Sequence, residues 1–178
     1  MKASHPSGGG VKAGRLYLLP AWLSEDTPAS QVVPAAVLER LRSLDAFVVE
    51  EAKTARRWLA ACGHPKPMRE IAMETLNEHT PAADIPGLLG LLEGGRDVGL
   101  LSEAGMPAVA DPGARLVAAA HARGIRVVPL VGPSSILLAL AASGLEGQRF
   151  RFVGYLPPES GARREALAEL ERRSGRDR

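Results

Sequence analysis

Short apolar runs alternate with helix-like segments along almost the whole chain. The run Ala46 to Glu50 is typical of a buried strand, and the segment before it repeats apolar residues at helical spacing through Val37, Leu38 and Leu41. Two parallel strands need a long crossover, usually a helix, and the right-handed crossover puts helices on the faces of the sheet. The alternation therefore predicts an α/β fold with an open, mostly parallel sheet and helices on both faces.

The boundaries of the predicted elements follow from the glycines, prolines and capping residues between the apolar runs. We expect strands at 15–20, 46–50, 96–102, 125–131 and 150–157, with a weak strand inside 68–80. We expect helices at 34–44, 52–63, 84–95, 112–124, 134–144 and 160–173. The stretch 21–33 is expected to be irregular.

Composition divides the chain into three parts. Residues 1–14 are rich in glycine, serine and lysine, which is typical of a disordered arm. Residues 15–148 contain enough strands and helices for one N-terminal α/β domain. A fresh strand and helix follow, and the chain then stops in the polar run SGRDR, so we expect 149–178 to be the start of a second, smaller and truncated C-terminal α/β domain.

Cysteine content, hydropathy and charge exclude several classes of protein. The single Cys62 can form no internal disulfide and has no histidine cluster near it, so we expect a cytoplasmic protein without a metal site. The N-terminus lacks a signal-like apolar segment, and the longest apolar run, Ile136 to Ala142, is too short to cross a membrane. The net charge is only +2, and the arginines that follow residue 148 fit a solvated helix face better than a nucleic-acid patch.

A loop rich in glycine and proline, Ser102 to Gly113, follows one predicted strand and precedes a helix. Gly105 has the freedom to let a ligand approach the backbone, while Pro107 stiffens the path. Asp111 suits a helix cap, with catalysis as the alternative, and Glu103 is either a solvated side chain or a ligand for a cationic or hydroxylated group. Ligands of open α/β sheets bind at the carboxyl ends of the strands, so we expect a binding site here.

A second loop of the same kind follows the next strand along the chain. Gly132 permits close approach, Pro133 adds rigidity, and Ser134 or Ser135 can cap the apolar helix that follows. Capping alone explains this loop. Placed on a strand next to that of the first loop, it suggests two walls of one cleft.

Several common nucleotide and hydrolase motifs are absent from the sequence. The chain contains no GxxxxGK[ST], no GxGxxG after its first strand and no GxSxG. Glu50 and Glu51 end the second predicted strand, where a ribose-binding acid lies in dinucleotide folds. Without the glycine loop, we expect them to pair with Lys53 or Arg57 instead.

Six segments together resemble a known family. The chain contains, in this order, LYLLP, VVEEAKTARRWL, LNEHT, SEAGMPAVADPG, RVVPLVGPSS and FVGYLP. Their order resembles the S-adenosylmethionine-dependent tetrapyrrole methylase superfamily, and most of all its branch that methylates the ribose of cytidine in small-subunit ribosomal RNA. The resemblance covers the chain from about Arg15 to its end.

The resemblance implies an S-adenosylmethionine-dependent methyltransferase that forms a homodimer and binds its methyl donor between an N-terminal and a C-terminal α/β domain. The residues it implies for the donor site are Pro20, Ser102, Glu103, Ala104, Gly105, Pro107, Gly132, Pro133, Ser134 and Ser135. The substrate it implies is ribosomal RNA. A ribose hydroxyl is a poor nucleophile at neutral pH, and by loop position Glu103 or Asp111 are the candidates for a catalytic base.

Two alternatives remain open at this point. The first is methylation of a tetrapyrrole or another small molecule, which the modest charge of residues 1–148 permits. The second is a folded but catalytically inert domain, since the chain is expected to lack much of the C-terminal domain.

Overall fold

A computed structural model describes residues 12–174 of the 178-residue chain. Its strands are β1 Arg15–Leu18, β2 Ala46–Val49, β3 Ala72–Thr75, β4 Val98–Leu101 and β5 Arg126–Pro129. Its α-helices are α1 Ala29–Val32, α2 Ala35–Ser43, α3 Ala52–Ala61, α4 Ile85–Glu93, α5 Gly113–Ala122, α6 Ser135–Ser143 and α7 Ser160–Ser174. Two short 3-10 helices, Met68–Glu70 and Ala82–Asp84, precede β3 and α4.

The five strands form one parallel sheet in the order β3-β2-β4-β1-β5. The central strand β4 pairs Val98 with Leu16 of β1 and Gly99 with Phe47 of β2. All four residues of β2 and β4 are buried, as expected for strands covered on both faces. The predicted α/β class and parallel sheet are therefore confirmed.

Alternation along the strands divides the core between the two faces of the sheet. Tyr17 and Phe47 point to one face and pack with α1, α2 and α3. Leu16 and Val48 point to the other face and pack with α4 and α5. Helices therefore cover both faces, because successive side chains of a strand point to opposite sides of the sheet.

Local sequence explains the ends of several helices. Pro34 precedes α2, where a missing N–H is tolerated because the first turn has no acceptor for it. Gly63, with φ of 71°, follows α3 in the left-handed conformation that glycine adopts without strain. The helix α1 lies in a stretch predicted to be irregular, so that prediction is wrong for Ala29–Val32, a single turn too short to show a periodic pattern.

The contacts divide the chain into two compact units, and the boundary along the chain lies between Leu138 and Ala139. The first contains the whole sheet. Within the second, the described residues comprise the end of α6, an irregular stretch and α7, and none of their side chains is buried. The strand predicted at 150–157 is wrong, and the segment is irregular. A strand needs a hydrogen-bonded neighbour, and residues 139–174 contain no strand that could pair with it.

The predicted disordered arm lies mostly outside the described residues. Its last residue, Gly14, is packed: its N–H donates to the Leu92 carbonyl at 2.7 Å. A Cβ on Gly14 would lie 2.0 Å from the Arg96 carbonyl oxygen. Gly14 therefore belongs to the packed structure, one residue before the predicted domain.

Candidate functional site

The carboxyl ends of β1 and β4 lie side by side, and their chains leave in opposite directions. The chain leaving β1 enters helices on the Tyr17 face of the sheet, whereas the chain leaving β4 enters α5 on the Leu16 face. Such a change of direction between neighbouring strands opens a crevice above the sheet, which is where open α/β sheets bind ligands. We call the segments that leave the sheet at this edge the β1 loop (19–28), the β4 loop (102–112) and the β5 loop (130–134).

The β1 and β4 loops are joined through the backbone of Gly105. The Gly105 carbonyl accepts the N–H of Ala21 at 2.8 Å, and its own N–H donates to the Trp22 carbonyl at 3.3 Å. Gly105 is buried and has φ of 67°, a conformation that favours glycine. Both of its backbone polar groups are thus used between the loops, so Gly105 joins two walls of the site rather than offering these groups to a ligand.

The β5 loop packs against the β1 loop at Pro20. A Cβ on Gly132 would lie 2.1 Å from the Pro20 Cβ, so only glycine permits this approach. The Pro133 carbonyl oxygen lies 3.7 Å from the position that a Gly105 Cβ would occupy. The two glycine-rich loops were expected on neighbouring strands, and this is wrong: β4 and β5 flank β1, whose loop lies between them.

Trp22 fixes the β1 loop to the helices below it. Its side chain is 8% exposed, and its ring lies 4.9 Å from that of Trp58 on α3, in a tilted arrangement. Aromatic pairs of this kind stabilise by about 0.5–1.5 kcal/mol beyond the area that they bury. Trp22 is a site residue that was not predicted from the sequence, although a tryptophan shortly after a strand end was a signal for it.

Asp111 uses both carboxylate oxygens on backbone groups. Its Oδ1 accepts the N–H of Gly113, the first residue of α5, and its Oδ2 accepts the N–H of Ala108, each at 2.7 Å. This is the capping arrangement considered for Asp111. Burial raises the pKa of the Asp111 carboxyl above its ordinary value, although the hydrogen bonds from Gly113 and Ala108 oppose the shift.

Glu50 links the end of β2 to the β4 loop. Its Oε2 accepts the backbone N–H of Glu103 at 3.1 Å. Burial raises the pKa of Glu50, the Glu103 N–H opposes this, and the nearby carboxylates of Asp111, Glu103 and Glu78 add to the rise. The Glu103 side chain itself is exposed and makes no hydrogen bond to another residue within 12–174.

The expected ion pairs of Glu50 and Glu51 with Lys53 or Arg57 are wrong. Glu51 instead caps α3, accepting the backbone N–H groups of Lys53 and Thr54 at 2.8 and 2.6 Å, which holds the pKa of its carboxyl below the ordinary value. Arg57 pairs with Glu25 of the β1 loop at 2.8 Å. The first backbone N–H groups of a helix have no acceptor within the helix. A carboxylate at that position therefore accepts hydrogen bonds from them in preference to pairing with a flexible lysine side chain.

The remaining residues of the implied donor site lie in these same loops. Pro20 and Pro107 are buried, while Ala104 and Ser135 are exposed and Ser102, Pro133 and Ser134 are partly buried. The Ser102 hydroxyl donates to the Ala104 carbonyl at 3.1 Å, and the Ser134 hydroxyl accepts the Leu137 N–H in the first turn of α6 at 3.5 Å. All ten residues therefore belong to one edge of the sheet.

Several backbone N–H groups of these loops have no protein acceptor in the described part of the chain. Among them are those of Ala104 in the β4 loop and of Val131 and Gly132 in the β5 loop. A polar group at the mouth of a cleft without a protein partner is available to water or to a ligand. The site therefore offers hydrogen-bond donors without charge, between walls made rigid by prolines.

The segment LNEHT forms a turn beside this edge. The Asn77 Oδ1 accepts the His79 N–H at 3.0 Å, and the Thr80 hydroxyl accepts the Asn77 N–H at 3.0 Å. Arg115 of α5 donates to the carbonyls of Asn77 and Thr80, both at 2.9 Å. Hydrogen bonds within the segment form the turn, and Arg115 of α5 holds it in place. Asn77 and Thr80 therefore have a structural role in this turn.

The described residues contain no group of three or more histidine, cysteine, aspartate or glutamate side chains placed to hold a metal ion. Among the helices between residues 12 and 174, none combines the length and the apolar character that a membrane crossing requires.

Comparison with known proteins identifies relatives of this chain. It is 41% identical over 130 residues to a ribosomal RNA small subunit methyltransferase I of Xylella fastidiosa, covering 73% of this chain and 46% of that protein. Proteins of the same name from Mesorhizobium japonicum and Escherichia coli O157:H7 are 39% and 34% identical, over 86% and 89% of this chain and 51% and 52% of theirs. The chain spans about half the length of these curated relatives. The sequence profile of the tetrapyrrole (corrin/porphyrin) methylases matches residues 32–176, most of the chain, and the chain belongs to that family.

Proposed function

We propose that this chain carries the methyl-donor site of an S-adenosylmethionine-dependent methyltransferase that acts on the ribose of small-subunit ribosomal RNA. Family membership supports the methyl donor, and the relatives, which are named as ribosomal RNA small subunit methyltransferases, support RNA as the substrate class. The observation that carries the proposal is the meeting of the β1, β4 and β5 loops through Gly105, Gly132 and Pro20, at the edge of the sheet where α/β folds bind ligands.

The chemistry of the loops fits S-adenosylmethionine. The donor carries an amino-acid carboxylate and an adenine whose ring nitrogens accept hydrogen bonds, and the unpartnered N–H groups of Ala104, Val131 and Gly132 are suitable donors for such groups. The three loops contain no arginine or lysine. They therefore place no positive charge of their own beside a ligand that carries a positively charged sulfur. Of the residues that the family resemblance implies for the site, Ser134 is the one whose hydroxyl already caps α6.

When bound, the donor supplies a methyl group activated by that positive sulfur. The task of this chain is then to hold the donor in a fixed orientation, since fixed geometry alone removes several kcal/mol from the barrier of a two-reactant step. Glu103 is the candidate for accepting the proton of the ribose hydroxyl, because its carboxylate is exposed and makes no hydrogen bond in residues 12–174. Asp111, the other candidate, has both oxygens on backbone N–H groups.

Two measurements test this proposal. Isothermal titration calorimetry of the chain with S-adenosylmethionine is expected to give one site per chain, and S-adenosylhomocysteine is expected to compete. Incubation with methyl-labelled donor and unmodified small subunits is expected to label ribosomal RNA, with the label recovered on a ribose oxygen. A parallel incubation contains a tetrapyrrole in place of the subunits, and label there but not on RNA would support the small-molecule alternative. Donor binding without transfer to either would support the catalytically inert domain.

A homodimer and a cytoplasmic location also belong to this proposal. The helix α6 exposes Leu137 and Leu138 at 59% and 57%, which supports association through an apolar surface. The chain has a single cysteine, Cys62, which can form no internal disulfide and supports the cytoplasmic location. Burial raises the pKa of the Cys62 thiol to about 12, which disfavours the thiolate. Analytical ultracentrifugation tests the first expectation, and a single sedimenting species of monomer mass would contradict it.

A further inference from the structure

The β4 loop contains a turn with an unusual backbone. Ala108 and Ala110 have φ of 66° and 58°, in the left-handed region that residues with a side chain rarely adopt. Val109 lies between them and is 47% exposed. An alanine side chain has no polar atom that could stabilise this conformation, so the two strained residues persist only if other groups hold them. We call these three residues the left-handed turn.

The group that holds the left-handed turn is the Asp111 carboxylate. One of its oxygens accepts the Ala108 N–H and the other accepts the Gly113 N–H, so one hydrogen bond closes residues 108–111 and the other closes residues 111–113. Gly113 makes room for this arrangement, because a Cβ there would lie 2.7 Å from the Asp111 Oδ1. The pairing of an aspartate at 111 with a glycine at 113 is therefore a spatial requirement as well as a helix cap.

We infer that Asp111 is a positioning residue of the proposed methyl-donor site, whose carboxylate holds the left-handed turn and thereby the shape of the whole β4 loop. The inference rests on the proposed function and assigns Asp111 a role other than catalytic base. Both of its oxygens accept backbone N–H groups, so accepting a substrate proton would require breaking the bonds that shape the loop.

The connection from Asp111 to the site runs along the β4 loop. Three residues before the left-handed turn, Gly105 is bonded to the β1 loop, and the unpartnered N–H of Ala104 lies next to it. If the carboxylate is removed, Ala108 and Ala110 relax toward ordinary backbone angles and the loop populates other shapes. A ligand that needs the original shape then binds more weakly, in proportion to the fraction of chains that retain it.

The test compares Asp111→Ala, Asp111→Asn and Gly113→Ala with the unchanged chain. Amide hydrogen exchange followed by NMR reports directly on the Ala108 N–H. We expect its exchange to be at least about tenfold faster in Asp111→Ala and in Gly113→Ala, which keeps the carboxylate but displaces it. In Asp111→Asn the amide has one oxygen, so either the Ala108 or the Gly113 N–H keeps its protection and the other loses it. Asp84→Asn, at an exposed aspartate without a side-chain hydrogen bond in the described residues, is the matched control and should leave both amides unchanged.

Affinity for S-adenosylmethionine supplies the second readout. We expect a loss of about tenfold in Asp111→Ala and Gly113→Ala and a smaller loss in Asp111→Asn. A catalytic base predicts a different pattern, in which Asp111→Asn binds the donor normally and loses turnover. Unchanged exchange at Ala108 in Asp111→Ala overturns the inference. If the unchanged chain binds no donor, the proposed function fails, whereas the exchange of Ala108 still decides whether Asp111 holds the turn. Should Asp111→Ala fail to fold, Gly113→Ala and Asp111→Asn give the same decision.

Discussion

Replacement of Gly132 by alanine tests the packing of the β5 loop on the β1 loop. The new Cβ would lie 2.1 and 2.2 Å from the Cβ and Cγ of Pro20. Carbon atoms rest about 3.5 Å apart, so the two loops must separate by about 1.4 Å at this point. Pro20 is buried and its ring is rigid, so it cannot rotate away as a long flexible side chain would.

Overpacking of this kind costs about 1–3 kcal/mol of unfolding free energy. For a chain of this size we expect the melting temperature to fall by about 2–12 °C, measured by differential scanning calorimetry. The separation also moves the unpartnered Gly132 N–H away from the β4 loop, so the affinity for S-adenosylmethionine is expected to fall by at least about tenfold. Titration calorimetry on the same preparation measures this second effect.

Gly87→Ala is the matched control for this substitution. Gly87 lies in α4, where a Cβ would meet no atom within 4 Å. Alanine is the better helix former, so the control is expected to raise stability by up to about 1 kcal/mol and leave donor affinity unchanged. If Gly132→Ala melts and binds like the unchanged chain, the contact between the two loops does not shape the site, and the reasoning is refuted.

Three further substitutions test an ion-pair cluster, the packing of the core and the hydrogen bonds of a turn. Hydrogen bonds from Lys66 and Arg96 hold the pKa of Asp45 below its ordinary value, so Asp45→Asn should lower the free energy of unfolding by about 1 kcal/mol or less at pH 7. This loss should vanish as the pH falls through the lowered pKa, below about pH 4, because Asp45 is then protonated in the unchanged chain as well. Urea titrations at several pH values measure it. Gly99→Ala places a Cβ 2.6 Å from Leu19 and 2.7 Å from Phe47 in the core, so urea unfolding should show a loss of about 1–3 kcal/mol; an unchanged midpoint would contradict the packing of β4. Arg115→Ala removes two hydrogen bonds to the turn at Asn77, so we expect a loss of about 1–3 kcal/mol and faster amide exchange at His79, neither of which Arg115→Lys restores in full.

The sequence predicted the elements of the sheet well because their signals are local. The apolar runs of β2 and β4 are buried strands, and Gly94 and Gly95 end α4 as expected. The capping role of Asp111 was also predictable from the sequence, because a carboxylate shortly before a helix accepts hydrogen bonds from the first backbone N–H groups of that helix. The capping role of Glu51 had the same local signal, but an ion pair was expected in its place.

The arrangement of the site could not be predicted in the same way because it depends on contacts between distant residues. Gly132 meets Pro20 only because β5 pairs with β1, and the order of strands in a sheet has no local signature. The hydrogen bond from the Glu103 N–H to the Glu50 carboxylate joins residues 53 positions apart, and it too depends on the order of the strands. The irregular segment 150–157 shows the converse: alternation in a sequence gives strand character, but a pairing partner decides whether a strand forms.

We propose above all that the β1, β4 and β5 loops together form one binding site for S-adenosylmethionine. The most direct test of this proposal is an NMR titration of the isotope-labelled chain with the donor, following the backbone amides. We expect saturable shifts concentrated in residues 19–28, 102–112 and 130–134, with the N–H groups of Ala104, Val131 and Gly132 among the most affected. Saturable shifts confined to other parts of the chain, or no shifts at donor concentrations that saturate a related methyltransferase, would contradict it.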